Sequence, residues 1–244
     1  MNQSVTSETS EEKKRLADIA THFSMGTGFN GRLEKYRIQT VREQCKGQRL
    51  LDVGCADGFM VRALAPYFTH ITAIDGSEEL IARAKELHLS NVEFLWTLFE
   101  EYKPTQKFDT VILSDILEHV DNAVELLRLA KEWICEDGVV VALCPNAYSI
   151  HRQIGVLSGM LTDVHDLNPT DISVGHRRVY DIQTLTTDIE TAGLHVRTWG
   201  GMYLKPLSNG QMDALPDSVV DAFYAIGKNL PPDLLTEIYV QSGK

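Results

Sequence analysis

Leu50-Leu51-Asp52-Val53-Gly54-Cys55-Ala56-Asp57-Gly58-Phe59-Met60 is the stretch whose reading decides the fold. Apolar residues run into Asp52, two glycines follow, and a helical pattern begins at once. This predicts a strand that ends in a tight turn opening a helix. Glycine at 54 and 58 leaves backbone bare, so a ligand can lie against it, and the N–H groups of the following helix point at that ligand. A second apolar run, His70-Ile71-Thr72-Ala73-Ile74-Asp75-Gly76, ends in an acid 17 residues beyond Gly58. In a doubly wound fold, an acid at the end of the second strand accepts hydrogen bonds from the two hydroxyls of a ribose.

The rest of the chain continues the alternation. Val92-Glu93-Phe94-Leu95-Trp96, Phe108 to Leu113, Gly138 to Leu143, Leu194 to Trp199 and Glu237 to Val240 read as further strands. Helices are expected at Arg32 to Cys45, Phe59 to Tyr67, Glu78 to Leu87 (capped by Ser77), Asn122 to Ile134 (capped by Asp121) and Ile182 to Ala192 (capped by Asp181, stopped by Gly193). Before them, residues 1–10 read as a loose tail, Glu11 to His22 as a helix, and Phe23 to Gly31 as a glycine-bearing loop. Two segments break the repeat. One covers about 145–180, and the other covers about 205–232 with a helix from Asp217 to Lys228.

Asp-x-Gly-Cys-x-x-Gly followed by Ala-Ile-Asp-Gly-Ser resembles the first two motifs of class I S-adenosylmethionine (SAM) dependent methyltransferases. Leu117-Glu118-His119 after the fourth strand is similar to what many small-molecule members carry, including those of ubiquinone and natural-product pathways. A nicotinamide enzyme is the competing Rossmann reading. Such enzymes favour Gly-x-Gly-x-x-Gly, whereas here position 56 is Ala and position 52 is Asp. The resemblance implies an α/β doubly wound sheet of seven strands. It would be mostly parallel, with an antiparallel last strand entering between the fifth and sixth and helices on both faces. An N-terminal tail and lid (1–31) would precede a catalytic domain (32–244) with insertions after strands 5 and 6.

It also implies sites. SAM, leaving as S-adenosylhomocysteine, would lie against Asp52, Gly54, Cys55, Ala56, Gly58, Asp75 and Gly76, with Ser114 and Asp115 near its methionyl group. Arg37 stands where the family often has a cation near the methionyl carboxylate; it also reads as a solvated helix residue. Where the family has an acidic motif for the adenine amino group, this chain has Trp96-Thr97-Leu98-Phe99-Glu100. Thr97 would then accept that bond, and Leu98 and Phe99 would pack on the ring or belong to the core. No Asn/Asp-Pro-Pro-Tyr motif is present, which counts against methylation of amides or exocyclic amines.

Acceptor specificity should reside in the first insertion, and Tyr36, in the helix before the first strand, is a further candidate for acceptor binding. Four of the eight histidines lie close in sequence: 119, 151, 165 and 176. Arg152, Arg177 and Arg178 stand out in an acidic chain, and guanidinium groups grip carboxylate or phosphate in a fork. They would bind a negatively charged acceptor, or pair with neighbouring aspartates. His151, His165 and Tyr180 complete this set. His119 and His176 are the candidate general bases for a hydroxyl acceptor; each alternatively packs. Oxygen methylation of an acidic metabolite is favoured, and nitrogen methylation of an amine or amino sugar is the alternative. A non-catalytic SAM sensor is disfavoured by bases beside the methyl. His and Asp are common metal ligands, but their spacing matches no tight zinc pattern, so no metal is expected.

A net charge of −11 disfavours nucleic acid as a partner, and a hydrophobic content of 43% supports a sizeable core. The cysteines (45, 55, 135, 144) have no paired spacing and read as reduced thiols of a cytoplasmic protein. No apolar run is long enough to span a membrane. The second insertion is expected to cover the site or to form a dimer surface.

Overall fold

The computed structural model describes residues 28–244. The tail at 1–10, the helix at Glu11 to His22 and most of the loop at Phe23 to Gly31 lie outside the described residues.

Seven strands form one sheet: β1 (Arg49–Val53), β2 (His70–Asp75), β3 (Val92–Trp96), β4 (Phe108–Ser114), β5 (Ile134–Pro145), β6 (His195–Met202) and β7 (Glu237–Gly243). Their order is β3-β2-β1-β4-β5-β7-β6. Strands β1 to β5 are parallel, and β7 enters antiparallel between β5 and β6. The expected topology is therefore observed. The strand order reverses between β1 and β4, which places a ligand crevice at their carboxyl ends.

The side-chain alternation of β1 sorts the core into two layers. Leu51 and Val53 face a cluster with α4 (Ala123–Trp133) and α7 (Ile182–Thr191), through Leu126, Leu127, Leu185 and Ile189. Leu50 faces a cluster with α1 (Gly28–Gln44), α2 (Phe59–Leu64) and α3 (Glu78–Lys85), through Val41, Val61, Leu64 and Ile81. Strands buried on both faces, such as Val139 to Cys144, carry no alternation because both layers demand apolar side chains. A short 3-10 turn, Ala65–Tyr67, completes the first crossover.

Several boundaries differ from the sequence expectation. Helix α1 covers Gly28–Gln44, so it includes the end of the expected glycine loop and passes through the lid boundary drawn at 31/32. Phe29 anchors that turn: it is buried and meets the Tyr203 ring edge-on at 5.7 Å. Asn122, not Asp121, caps α4, accepting from the Glu125 amide at 3.0 Å. Strand β5 starts at Ile134, because Ile134 pairs with Phe108 and β5 then carries extra residues, an irregularity before the regular register begins at Thr110 and Val139. Asp181 caps α7, and Gly193 (φ +81°) ends it, as expected.

The first insertion contains α5 (Ile150–Leu157) and α6 (Pro169–Ser173). The second contains α8 (Asn209–Asp213) and α9 (Asp217–Gly227). A third cluster joins the second insertion to α1 through Phe29, Leu33, Tyr36, Tyr203, Met212 and Val220. Arg32 reinforces it, donating to the carbonyls of Asp213 (3.0 Å) and Leu215 (2.9 Å) and to Asp217 (2.7 Å). Helix α1 and the second insertion thus form one cap packed on the sheet edge at β6. Among the described residues no helix is long and apolar enough to cross a membrane, and the four cysteines are free thiols.

Candidate active site

The turn after β1 is built to meet a ligand. Gly54 and Gly58 both have φ +78°, where a side chain is strained. A Cβ on Gly54 would lie 2.8 Å from Ile116 Cδ1, so the turn and the loop after β4 touch here. Ala56 is held at φ +48° although it is not glycine. Its amide donates to Asp75 Oδ2 at 3.0 Å, while Ser77 N–H donates to Oδ1 at 2.8 Å. Each carboxylate oxygen keeps a lone pair for a sugar hydroxyl. Burial raises the Asp75 carboxyl above its usual range despite these two bonds. Asp52, buried under the turn, is pushed up to about 7 by burial first and by Asp75 second. Cys55 is a buried thiol raised far above its usual range by desolvation.

Past the end of β3, Thr97 N–H bonds to the Asp75 carbonyl at 3.0 Å, and its hydroxyl donates to Leu98 O at 3.1 Å. That leaves the Thr97 hydroxyl able to accept. Leu98 is buried, and Phe99 packs against the α4 side of the core. Gly76 O accepts from the Trp96 indole at 3.0 Å.

Across the crevice, Asp115 sits in the left-handed region (φ +50°), fixed by its amide bond to Leu143 O at 2.9 Å. Its Oδ2 is 3.3 Å from Arg37 Nε, while its Oδ1 is buried and unpartnered. The Ser114 hydroxyl is likewise buried without a partner among the described residues. Arg37 corrects its expected role. Its guanidinium is held by Glu34, by both oxygens of Glu237 and by Asp115. Protein carboxylates thus occupy the guanidinium that was expected to meet a ligand carboxylate. Glu34 and Glu237, both buried, were not singled out from sequence; burial raises both carboxyls, against the lowering effect of Arg37.

The expected anion grip is also corrected. Arg152 is buried and donates to Val164 O (2.8 Å), to Asp166 O and to Asp171 (3.1 Å). Arg177 pairs with Asp121 at 2.6 Å and donates to His119 O at 2.9 Å. Arg178 donates to Leu117 O at 2.8 Å and Asp121 O at 2.9 Å. All three staple the first insertion to itself or to the loop after β4. Tyr36 stacks on Tyr224 at 4.4 Å and donates to Asp221 at 2.5 Å, locking α1 to α9. Tyr180 is a core residue whose hydroxyl donates to Asp188 at 2.8 Å. His165 bridges Asp163 (3.1 Å) and Asp181 (2.9 Å) beside the α7 cap. His151 does sit inward: its Nδ1 is buried and unpartnered, and burial lowers its pKa to about 3, so it stays neutral. Lys205, unforeseen, is lowered to about 8 by burial and donates to Asn209 at 2.7 Å.

The staples have a consequence for the two candidate bases. The Arg177 amide donates to Glu118 O at 2.8 Å, and the Arg177 and Arg178 side chains clasp residues 117–121. This brings His176 edge-on to His119, with ring centroids 4.6 Å apart and planes at 81°. His176 Nδ1 lies 3.5 Å from Asp171 Oδ1, whose carboxyl is lowered to about 2 by His176, by the Asn168 amide and by Arg152, against its partial burial. Beneath them Glu118 is 1% exposed, its carboxyl beside the buried Cys144 thiol. Burial, and then the neighbouring Asp115, raise its carboxyl well above the usual range. A cavity of about 420 Å³ lined by Arg49, His70, Glu93 and Tyr102 opens at the opposite ends of the strands and shares no residue with this site.

Glycine turn, Asp75 on the second strand and a crevice at the strand reversal together define a nucleoside-binding α/β fold of the class I methyltransferase kind. Residues 29–198 match the methyltransferase domain family, and the chain belongs to that family. It is 30% identical over 128 residues to N-methyltransferase 4 of Papaver somniferum, covering 48% of this chain and 36% of that protein. It is 29% identical over 175 residues to the ubiquinone biosynthesis O-methyltransferase of Aeromonas salmonicida, covering 67% and 69%. Several curated relatives are matched over only 31% to 48% of their length. Among solved structures, N-methyltransferase NodS from Bradyrhizobium japonicum in complex with S-adenosyl-L-homocysteine shares the fold, with a TM-score of 0.58, 14% identity and coverage of 96% and 97%. A SAM-dependent methyltransferase from Archaeoglobus fulgidus does so with a TM-score of 0.59, 19% identity and coverage of 87% and 94%.

Proposed function

We propose that the protein moves a methyl group from SAM to a hydroxyl oxygen of a small molecule. The observation that carries the donor half is Asp75, half-buried at the tip of β2 and tied to the glycine turn with lone pairs to spare. Family membership and the relatives, which include both O- and N-methyltransferases, support the same reaction class. The electrophile is the sulfonium methyl group, so the protein's task is alignment of nucleophile, carbon and sulfur in line. The His119–His176 pair, across the crevice from the glycine turn, supports an acceptor that must lose a proton.

An acidic or phosphate-bearing acceptor loses its main support, because Arg152, Arg177 and Arg178 have protein partners. Lys205, close to Glu237 and Arg37, is a further cation on this side of the molecule. Nitrogen methylation is the second reading. The unpartnered carboxylate oxygens of Glu34 and Asp115 favour it, since they would accept from an ammonium group. The test is incubation of the protein with methyl-labelled SAM and a whole-cell small-molecule extract, read by mass spectrometry. Label in a methyl ether supports the first reading, label in a methylamine the second, and no labelled product contradicts both.

A further inference from the structure

Strand registers bring several loops to one rim of the sheet. Ser114 pairs with Leu143, Pro145 with Glu237, and Glu237 with Met202. Asp115, His151 in α5 and Lys205 follow within a few residues of these strand ends. Glu34 joins them from α1 through Arg37, whose guanidinium it shares with Glu237. Glu237, Arg37, Asp171 and Arg152 lie close enough to Lys205 to alter its protonation, and Lys205 does the same to His151.

This rim holds spare hydrogen-bonding capacity of both kinds. Glu34 Oε2, Asp115 Oδ1 and His151 Nδ1 are buried without a partner among the described residues. Glu34 is itself only 1% exposed. The Lys205 ammonium donates to Asn209 at 2.7 Å and has N–H groups to spare. Buried polar atoms are rarely left so, which points to a guest.

Chemistry narrows that guest. Burial keeps His151 neutral and lowers Lys205 to about 8, so charge is costly here. A phosphate or carboxylate would want a guanidinium fork, and Arg37 is taken by Glu34, Glu237 and Asp115. An alkylammonium would lie beside the Lys205 ammonium. A flat aromatic acceptor would want ring faces or an apolar slot, yet Tyr36 packs on Tyr203 within the cap and Tyr148 meets His165 edge-on. A hydroxyl both donates and accepts, so several on one ring answer the spare acceptors and the spare donors together.

We propose that Glu34, Asp115, His151 and Lys205 form the acceptor subsite, and that the acceptor is a neutral polyhydroxylated ring of sugar-like chemistry. The inference rests on the methyl-transfer reading above and names the class of its acceptor.

The full chain is incubated with methyl-labelled SAM and a whole-cell small-molecule extract, and the labelled product is identified by mass spectrometry and NMR. S-adenosylhomocysteine binding is measured on the same sample. The inference expects label on a ring that bears several free hydroxyls. That compound, unlabelled, then serves as the probe. Lys205→Met and His151→Phe should each raise its KM about tenfold or more, with KM for SAM unchanged. A merely structural role would instead lower Tm and weaken S-adenosylhomocysteine binding as well. If a variant fails to fold, the identity of the wild-type product still decides. An aromatic or apolar labelled product, or an acceptor KM indifferent to both substitutions, would overturn the inference and leave methyl transfer standing. No labelled product at all would contradict both.

Discussion

The Ala56 amide donates to the Asp75 carboxylate at 3.0 Å, joining the glycine turn after β1 to the tip of β2 before any ligand arrives. The turn is held at φ values that cost backbone strain, +78° at Gly54 and Gly58 and +48° at Ala56, and this bond is part of what holds it. Ligand binding therefore requires little rearrangement there, which favours affinity.

Gly58→Ala should disturb both fold and site. The added Cβ would lie 3.0 Å from Leu87 and 3.1 Å from Phe94, at φ +78°. Strain of about 1–3 kcal/mol is expected, read as a lowered Tm and weakened S-adenosylhomocysteine binding. An unchanged Tm would show that the turn is not held as described.

Asp52→Asn should stabilise the protein at pH 8. The folded carboxyl titrates near 7, and its unfolded value is near 3.8. The folded state thus holds its proton more tightly, so wild-type stability falls as pH rises from about 4 to about 7 and is then flat. Amide in place of carboxyl removes that contribution. Denaturant unfolding at pH 5 and pH 8 should show a smaller decline in the variant than in the wild type.

Arg152→Met should lower stability rather than acceptor affinity. It leaves Asp171 and the carbonyls of Val164 and Asp166 without their donor. Breaking a buried pair from one side costs about 3–5 kcal/mol. A normal Tm with a raised acceptor KM would restore the anion-binding role that the structure withdraws.

His119→Gln and His176→Gln should each reduce kcat, by about 10²–10⁴-fold if the lost group handles the acceptor proton. KM for SAM should hardly change, because neither ring belongs to the Asp75 side of the crevice. Full kcat in one variant removes that residue from the role.

The donor side was legible in the sequence because its signals are local: a glycine turn and a strand-ending acid each fit within a few residues. The acceptor side was not. Arg152, Arg177 and Arg178 looked like anion ligands in an acidic chain, but their acceptors are mainly backbone carbonyls, which no side-chain pattern announces. Tyr36 and Tyr224 are far apart in sequence and stack, so the α1–α9 cap could not be read from either segment alone. Glu118 was visible only as part of Leu117-Glu118-His119. Its place beside His176 depends on the backbone bond from the Arg177 amide to the Glu118 carbonyl, which follows from the fold. Helix α1 began early because Phe29 finds Tyr203, a contact about 170 residues away in the chain.

Titration calorimetry of the purified chain with S-adenosylhomocysteine, beside Asp75→Ala, tests the central claim most directly. The account predicts saturable one-to-one binding to the wild type. Loss of hydrogen bonds to a charged group, about 1.5–3 kcal/mol, should weaken it about 10- to 150-fold in the variant. Absence of binding to the wild type, or equal affinity in the two proteins, would contradict it.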